Sequence, residues 1–108
     1  MAYYLVRAKA KDGRLAELEQ LLSQKAFVGM RPFGEALSAG LNGARIGADG
    51  LAVWEEEDYC SPPLAMEREA VLDTYFDDIQ VEAVKLGEGW NRIRELPRLF
   101  PALPSAPD

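Results

Sequence analysis

The segment ARIGADGLAVWEEEDY, residues 44–59, decides how the chain is built. Asp49-Gly50 sits between two extended runs, and glycine takes the positive φ of a tight turn without a Cβ clash. The pattern predicts a hairpin, with a strand near 44–48 and a longer one over 51–59. Side chains on a strand alternate between its two faces, so Glu55 and Glu57 share one face while Glu56 and Asp58 share the other, with Trp54. Only alternate carboxylates of this acidic run can act together.

Moving outward toward the N-terminus, Asn42-Gly43 closes a helical piece opened by Pro32, in which Phe33, Leu37 and Leu41 recur every four residues. Before it, Leu15, Leu18, Leu22 and Ala26 predict a helix over 14–27, capped by Asp12-Gly13 and broken by Gly29. Residues 2–10 read as a first strand, with Tyr4, Val6, Ala8 and Ala10 on one side and Tyr3, Leu5, Arg7 and Lys9 on the other. Both sides begin apolar, so the second side is expected to be covered by the chain's own tail or by another subunit.

Toward the C-terminus, Ser61-Pro62-Pro63 starts a helix expected over 63–77, packing through Leu64, Val71, Leu72, Tyr75 and Phe76. Residues 79–85 alternate as a last strand. Gly87 and Gly89 then bound a turn before a short helical stretch carrying Trp90 and Ile93. Four prolines between 97 and 107 prevent regular structure in a tail, yet Leu99, Phe100 and Leu103 give it something to dock. The expected organisation is one domain over 1–96 and a Pro-rich tail over 97–108, with the final few residues loose.

With 108 residues there is room for one core. The 48% hydrophobic and 28% charged residues place the chain among globular proteins, away from disordered ones. No apolar run approaches the roughly 18 residues that cross a bilayer, and no basic leader precedes the first strand, so a cytoplasmic location without membrane contact is expected. Cys60 is the single cysteine, which excludes an intrachain disulfide. Histidine is absent, which removes the commonest general base near neutrality and every Ser-His or Cys-His nucleophile pair. Scarce amides beside abundant Ala, Leu, Glu and Arg are compatible with a thermophilic source.

The net charge of -6 is unevenly spread: residues 1–54 carry seven basic against five acidic side chains, and residues 55–108 carry five against thirteen. An acidic chain repels a phosphate backbone. Residues 49–56 faintly resemble the RNP1 strand of RNA-recognition motifs, but Asp49 replaces its basic residue and Glu55 onward opposes phosphate, so no nucleic-acid partner is expected.

The order strand, helix, short helix, strand, strand, helix, strand, tail resembles the βαββαβ ferredoxin-like domain over roughly residues 2–86, and in particular the dimeric α+β barrel type. That resemblance implies an α+β sandwich, a four-stranded antiparallel sheet with helices on one face, and a homo-oligomer in which Tyr3, Leu5, Arg7 and Lys9 form the interface. Fold alone does not give function.

Three functional readings follow from the residues. The first is a self-associating interaction or small-ligand-binding module without a cofactor, its ligand chemistry undefined. The second is a small cofactor-free enzyme, with Glu55, Glu57 or Asp58 as the carboxylate and Tyr59 beside it. The third is a divalent-metal protein, with Glu69, Asp73 and Asp77 recurring every four residues along one helix as candidate ligands. Cys60 reads as a packing residue, since the neighbouring acids oppose its ionisation.

Overall fold

The computed structural model describes residues 2–104 as an α+β fold built on one four-stranded antiparallel sheet. Strand β1 spans Ala2–Ala10, α1 Leu15–Ser23, α2 Gly34–Asn42, β2 Arg45–Ile46 and β3 Ala52–Asp58. A helical segment follows in three parts: α3 at Ala65–Glu67, a π-helical turn at Arg68–Leu72 and α4 at Asp73–Tyr75. Strand β4 spans Phe76–Val84 and α5 spans Glu88–Ile93. The sheet order is β2-β3-β1-β4, with every neighbouring pair antiparallel. Among the described residues, no helix is long and apolar enough to cross a membrane.

The β1–β3 register pairs Val6 with Trp54 and Ala8 with Ala52, which puts these four on one face over the main core. Leu18 and Leu22 from α1, Leu37 and Leu41 from α2, and Leu64, Val71, Leu72 and Tyr75 from the 65–75 segment close that core. Trp54 is fully buried and packs against Phe76 at a centroid distance of 5.3 Å.

The opposite face carries a second, smaller cluster of Leu5, Val53 and Ile93, flanked by Trp90 and Val84. Helices therefore do not lie on one face alone. Helix α5 covers the middle of the face that a second sheet was expected to meet, so the apolarity of Leu5 is satisfied within its own chain. Arg7 on this face meets Glu82 at 3.3 Å, and Lys11, just past the end of β1, meets Asp77 at 3.8 Å.

Several boundaries shift for local reasons. Helix α1 stops at Ser23, and its N-cap is Arg14 with no side-chain cap bond, so Asp12 does not cap it. Strand β2 shrinks to two residues because Gly47 returns at once through its N–H to the Leu51 carbonyl, closing the turn early. The expected helix over 63–77 ends at Tyr75, and β4 begins three residues sooner than the alternation suggested, since Phe76 and Asp77 pair with Ala10 and Lys9. The tail docks as expected: Phe100 and Leu103 are buried, while the Arg98 guanidinium donates to the carbonyls of Asn42 and Leu103. The expectation for the last few residues falls at 105–108, outside the described residues.

Candidate functional site

Strand β3 distributes its acids as strand parity requires, and the two faces use them differently. On the α5 face, the buried Glu55 carboxylate accepts the N–H groups of Gly87 at 2.9 Å, Gly89 at 2.8 Å and Trp90 at 3.4 Å. It thus satisfies donors at the start of α5 that have no partner within the helix. Gly89 permits this approach, because a Cβ there would stand 2.9 Å from Glu55 Oε1 and 3.1 Å from Leu5 Cδ1. Glu57 lies farther along the same face and accepts the Tyr59 hydroxyl. That bond is the main reason the Tyr59 phenol is pushed above its usual pKa.

On the core face, Glu56 and Asp58 point inward, where Glu67 meets them. The three are 2%, 3% and 0% exposed, a burial that carboxylates reach only when paired or protonated. Glu56 Oε1 accepts the Trp54 indole N–H at 2.9 Å, Asp58 Oδ2 accepts the Leu64 N–H at 2.6 Å, and Glu67 Oε1 accepts the Cys60 thiol at 3.6 Å. One ligating atom each from Asp58, Cys60 and Glu67 lies within 4.8 Å of the others. Among the described residues, Glu56 Oε2 and Glu67 Oε2 are buried with no N–H or hydroxyl donor, and the Glu56, Glu67 and Asp58 carboxyls meet one another.

The local chain is bent to make this arrangement. Leu64 is held at φ 62°, in the left-handed region that a bulky L-residue rarely adopts, with its N–H on Asp58. Glu67 caps the π-helical turn at Arg68–Leu72, an insertion that re-aims side chains and recurs at functional sites.

Charge inside the cluster is graded. Burial pushes Glu56 well above the usual carboxyl pKa, against the indole N–H that favours its ionised form, and Glu67 reinforces the rise. Burial also raises Glu67, with Asp58 adding to the effect. Burial opposes ionisation of Asp58 too, but the Leu64 N–H, Glu67 and Cys60 outweigh it, and Asp58 falls below its ordinary value. For Cys60 a Met66 backbone bond favours the thiolate, yet burial and the Asp58 charge prevail and the thiol is raised. Asp58 thus ionises most readily of the three, and Glu56 and Glu67 lose their protons at higher pH than ordinary carboxyls.

The sequence-derived candidates separate accordingly. Glu57 and Tyr59 come together, Glu55 is committed to α5, and Asp58 faces the other way, so the four do not form one catalytic set. Glu69, Asp73 and Asp77 do not share a helical face, because Asp77 belongs to β4 beside Lys11 and Asp73 pairs with Arg68 at 3.5 Å. Of the proposed contact residues, Leu5 is fully buried under α5, whereas Tyr3 and Arg7 are half-buried and Lys9 is exposed. Glu56 and Glu67 were missed as site residues. The available signal was Glu67's position three residues after Leu64 and four before Val71, which places a charged residue on the packing face of its helix.

Comparison with protein-family models, curated proteins and solved structures gives no match to this chain.

Proposed function

We propose that this protein is a divalent-cation-binding module whose ligands are Asp58, Cys60 and Glu67, with Glu56 beside them. The observation that carries this reading is Glu67: fully buried, with one oxygen on the Cys60 thiol, the Asp58 and Glu56 carboxyls beside it, and no basic side chain among its described partners. Ligands held 2.0–2.3 Å from a tetrahedral cation stand roughly 3.3–3.8 Å apart. The 3.6 Å separation of Cys60 Sγ and Glu67 Oε1 falls in that range. A thiolate beside carboxylates favours a borderline cation such as Zn²⁺ over Mg²⁺ or Ca²⁺, which take oxygen ligands. Cation binding requires the thiolate and the ionised Glu67, both of which burial disfavours, so affinity rises with pH.

The fold is read here as a ferredoxin-like unit. Support comes from the sheet order taken from its other edge, β4-β1-β3-β2, with helices following β1 and β3.

The test is thermal unfolding of EDTA-stripped protein with added Zn²⁺, Co²⁺, Mg²⁺ or Ca²⁺. A cation at 100-fold over its Kd adds about 2.7 kcal/mol, or on the order of 10 °C in Tm for a domain of this size. Zn²⁺ and Co²⁺ should give such a shift, reversed by EDTA, and Co²⁺ should show a thiolate charge-transfer band. Cys60→Ser should remove the band and Glu67→Gln should weaken the shift. If neither cation raises Tm, or both variants respond as the wild type does, the module binds no cation at this cluster.

A further inference from the structure

Strand β2 pairs only through Arg45 and Ile46, opposite Val53 and Ala52, so the outer edge of β3 beyond Val53 has no strand beside it. Helix α2 stands there instead. Gly40 lets it approach, since a Cβ at that position would lie 2.8 Å from Trp54 Cδ1. Between α2, the α5 face of β3 and the turn into α5 this leaves a cleft of about 190 Å³. Ala36, Ala39, Leu86 and the Trp90 ring make its walls mainly apolar, and Tyr3 lies at its side.

Two carboxylates enter this cleft. Glu55 is occupied by three backbone N–H groups, so its charge is already matched. Glu57 accepts the Tyr59 hydroxyl, and no lysine or arginine among the described residues lines the cleft. A negative charge against aromatic and aliphatic walls is complementary to a cation with an apolar body, which the Trp90 side chain lining the cleft can contact. Anions are opposed by both carboxylates, and a neutral ligand leaves Glu57 unmatched.

We propose that this cleft is a binding site for a small organic ammonium ion, with Glu57 as its counter-ion, Trp90 as its aromatic wall and Tyr59 orienting the Glu57 carboxylate. The site is separate from the buried Asp58–Cys60–Glu67 cluster, which lies on the other face of β3, and does not depend on cation binding there.

Phenethylammonium is a suitable probe, with 2-phenylethanol as its neutral counterpart and 3-phenylpropionate as its anionic one. Indole N–H resonances of ¹⁵N-labelled protein, distinguished by Trp90→Phe, report on the cleft through Trp90 and on the core through Trp54. Titration with the amine should shift the Trp90 signal saturably and leave Trp54 in place, with the alcohol at least tenfold weaker and the acid without effect. Glu57→Gln should lose at least tenfold in amine affinity while keeping the wild-type Tm, and Ala39→Leu, which fills the cleft from α2, should abolish the shift. The proposal fails if the amine does not move Trp90 at millimolar concentration. It also fails if the alcohol binds equally well, if both variants bind as the wild type does, or if sedimentation shows a second copy of the chain occupying the cleft.

Discussion

Replacing Glu56 by glutamine tests the energetics of the buried cluster directly. Glu56 keeps its proton in the folded protein well above the pH at which it would lose it in the unfolded chain. Across that window the folded state binds more protons, so unfolding becomes easier as pH rises. The contribution is fully present below the unfolded pKa near 4.5 and is lost as pH climbs through the folded value. Each retained proton sets a slope of about -1.4 kcal/mol of unfolding free energy per pH unit. Glu67 adds to the slope with the same sign, because it too is raised. The window is clean of the other shifted groups, since Asp58, Glu17 and Glu82 are lowered and act only as pH falls below the ordinary carboxyl range, while Tyr59, Tyr75 and Cys60 are raised and act only in the alkaline range. Urea unfolding in EDTA, followed by tryptophan fluorescence at intervals from pH 5 to 8, should give a stability that declines with pH. Glutamine resembles the protonated carboxyl, so Glu56→Gln should fold stably at pH 8 and flatten the slope by about one proton's worth. A wild-type profile that is flat or rising over this range, or a variant with an unchanged slope, would refute the assignment of a buried proton to this group.

The α5 anchor is tested by Glu55→Ala, which strands the Gly87 and Gly89 N–H groups; a loss of about 3 kcal/mol is expected, with faster amide exchange in α5. Equal exchange in α5 with and without the carboxylate would remove Glu55 from that role. Gly40→Ala places a methyl 2.8 Å from Trp54 Cδ1 and 3.1 Å from the Glu55 carbonyl, so overpacking should cost about 1–3 kcal/mol in chemical denaturation, whereas a neutral result would mean α2 moves freely away from β3. Arg98→Ala releases the bonds to the Asn42 and Leu103 carbonyls, and limited proteolysis should then cut near residues 99–104 well before the core; protection equal to wild type would show that Phe100 and Leu103 hold the tail unaided.

The face pattern of the sheet was legible because period-two alternation is a local property: Val6 and Ala8 against Leu5 and Arg7, and Trp54 with Glu56 against Glu55 with Glu57, all fall as the parity of their strands requires. What covers the second face was harder to read, since Leu5 and Val53 signal only that a cover exists. That α5 supplies it depends on Glu55 accepting the α5 N–H groups, a contact between residues more than thirty positions apart. The stretch around 61–77 misled for a different reason. A continuous 3.6-residue count assumes regular helix, whereas the π-helical turn at 68–72 inserts a residue and changes which side chains share a face. Glu69, Asp73 and Asp77 therefore look like one helical stripe in sequence but fall in the π-helical turn, α4 and β4 respectively. Glu67, just before the insertion, remains on the packing side.

The cost of the inward acids bears on what they are for. A buried carboxylate without full pairing is unfavourable by several kcal/mol, and apolar residues of similar volume would pack this end of the sheet without that penalty. Glu55 has a structural justification, since its two oxygens satisfy three N–H groups at the start of α5. Asp58 has half of one in the Leu64 N–H, which holds a strained backbone turn. Glu67 has no basic partner among the described residues: it meets the neighbouring Asp58 and Glu56 carboxyls, its own backbone and a thiol that burial and Asp58 hold protonated. The fold is thus bent at Leu64 and again at the π-helical turn to bring together groups that packing alone would keep apart. The proposed cation site would account for these acids, because a divalent ion taken up in exchange for the thiol and Glu67 protons leaves the net charge of the cluster unchanged while giving Asp58, Cys60 and Glu67 a directly coordinated counter-charge.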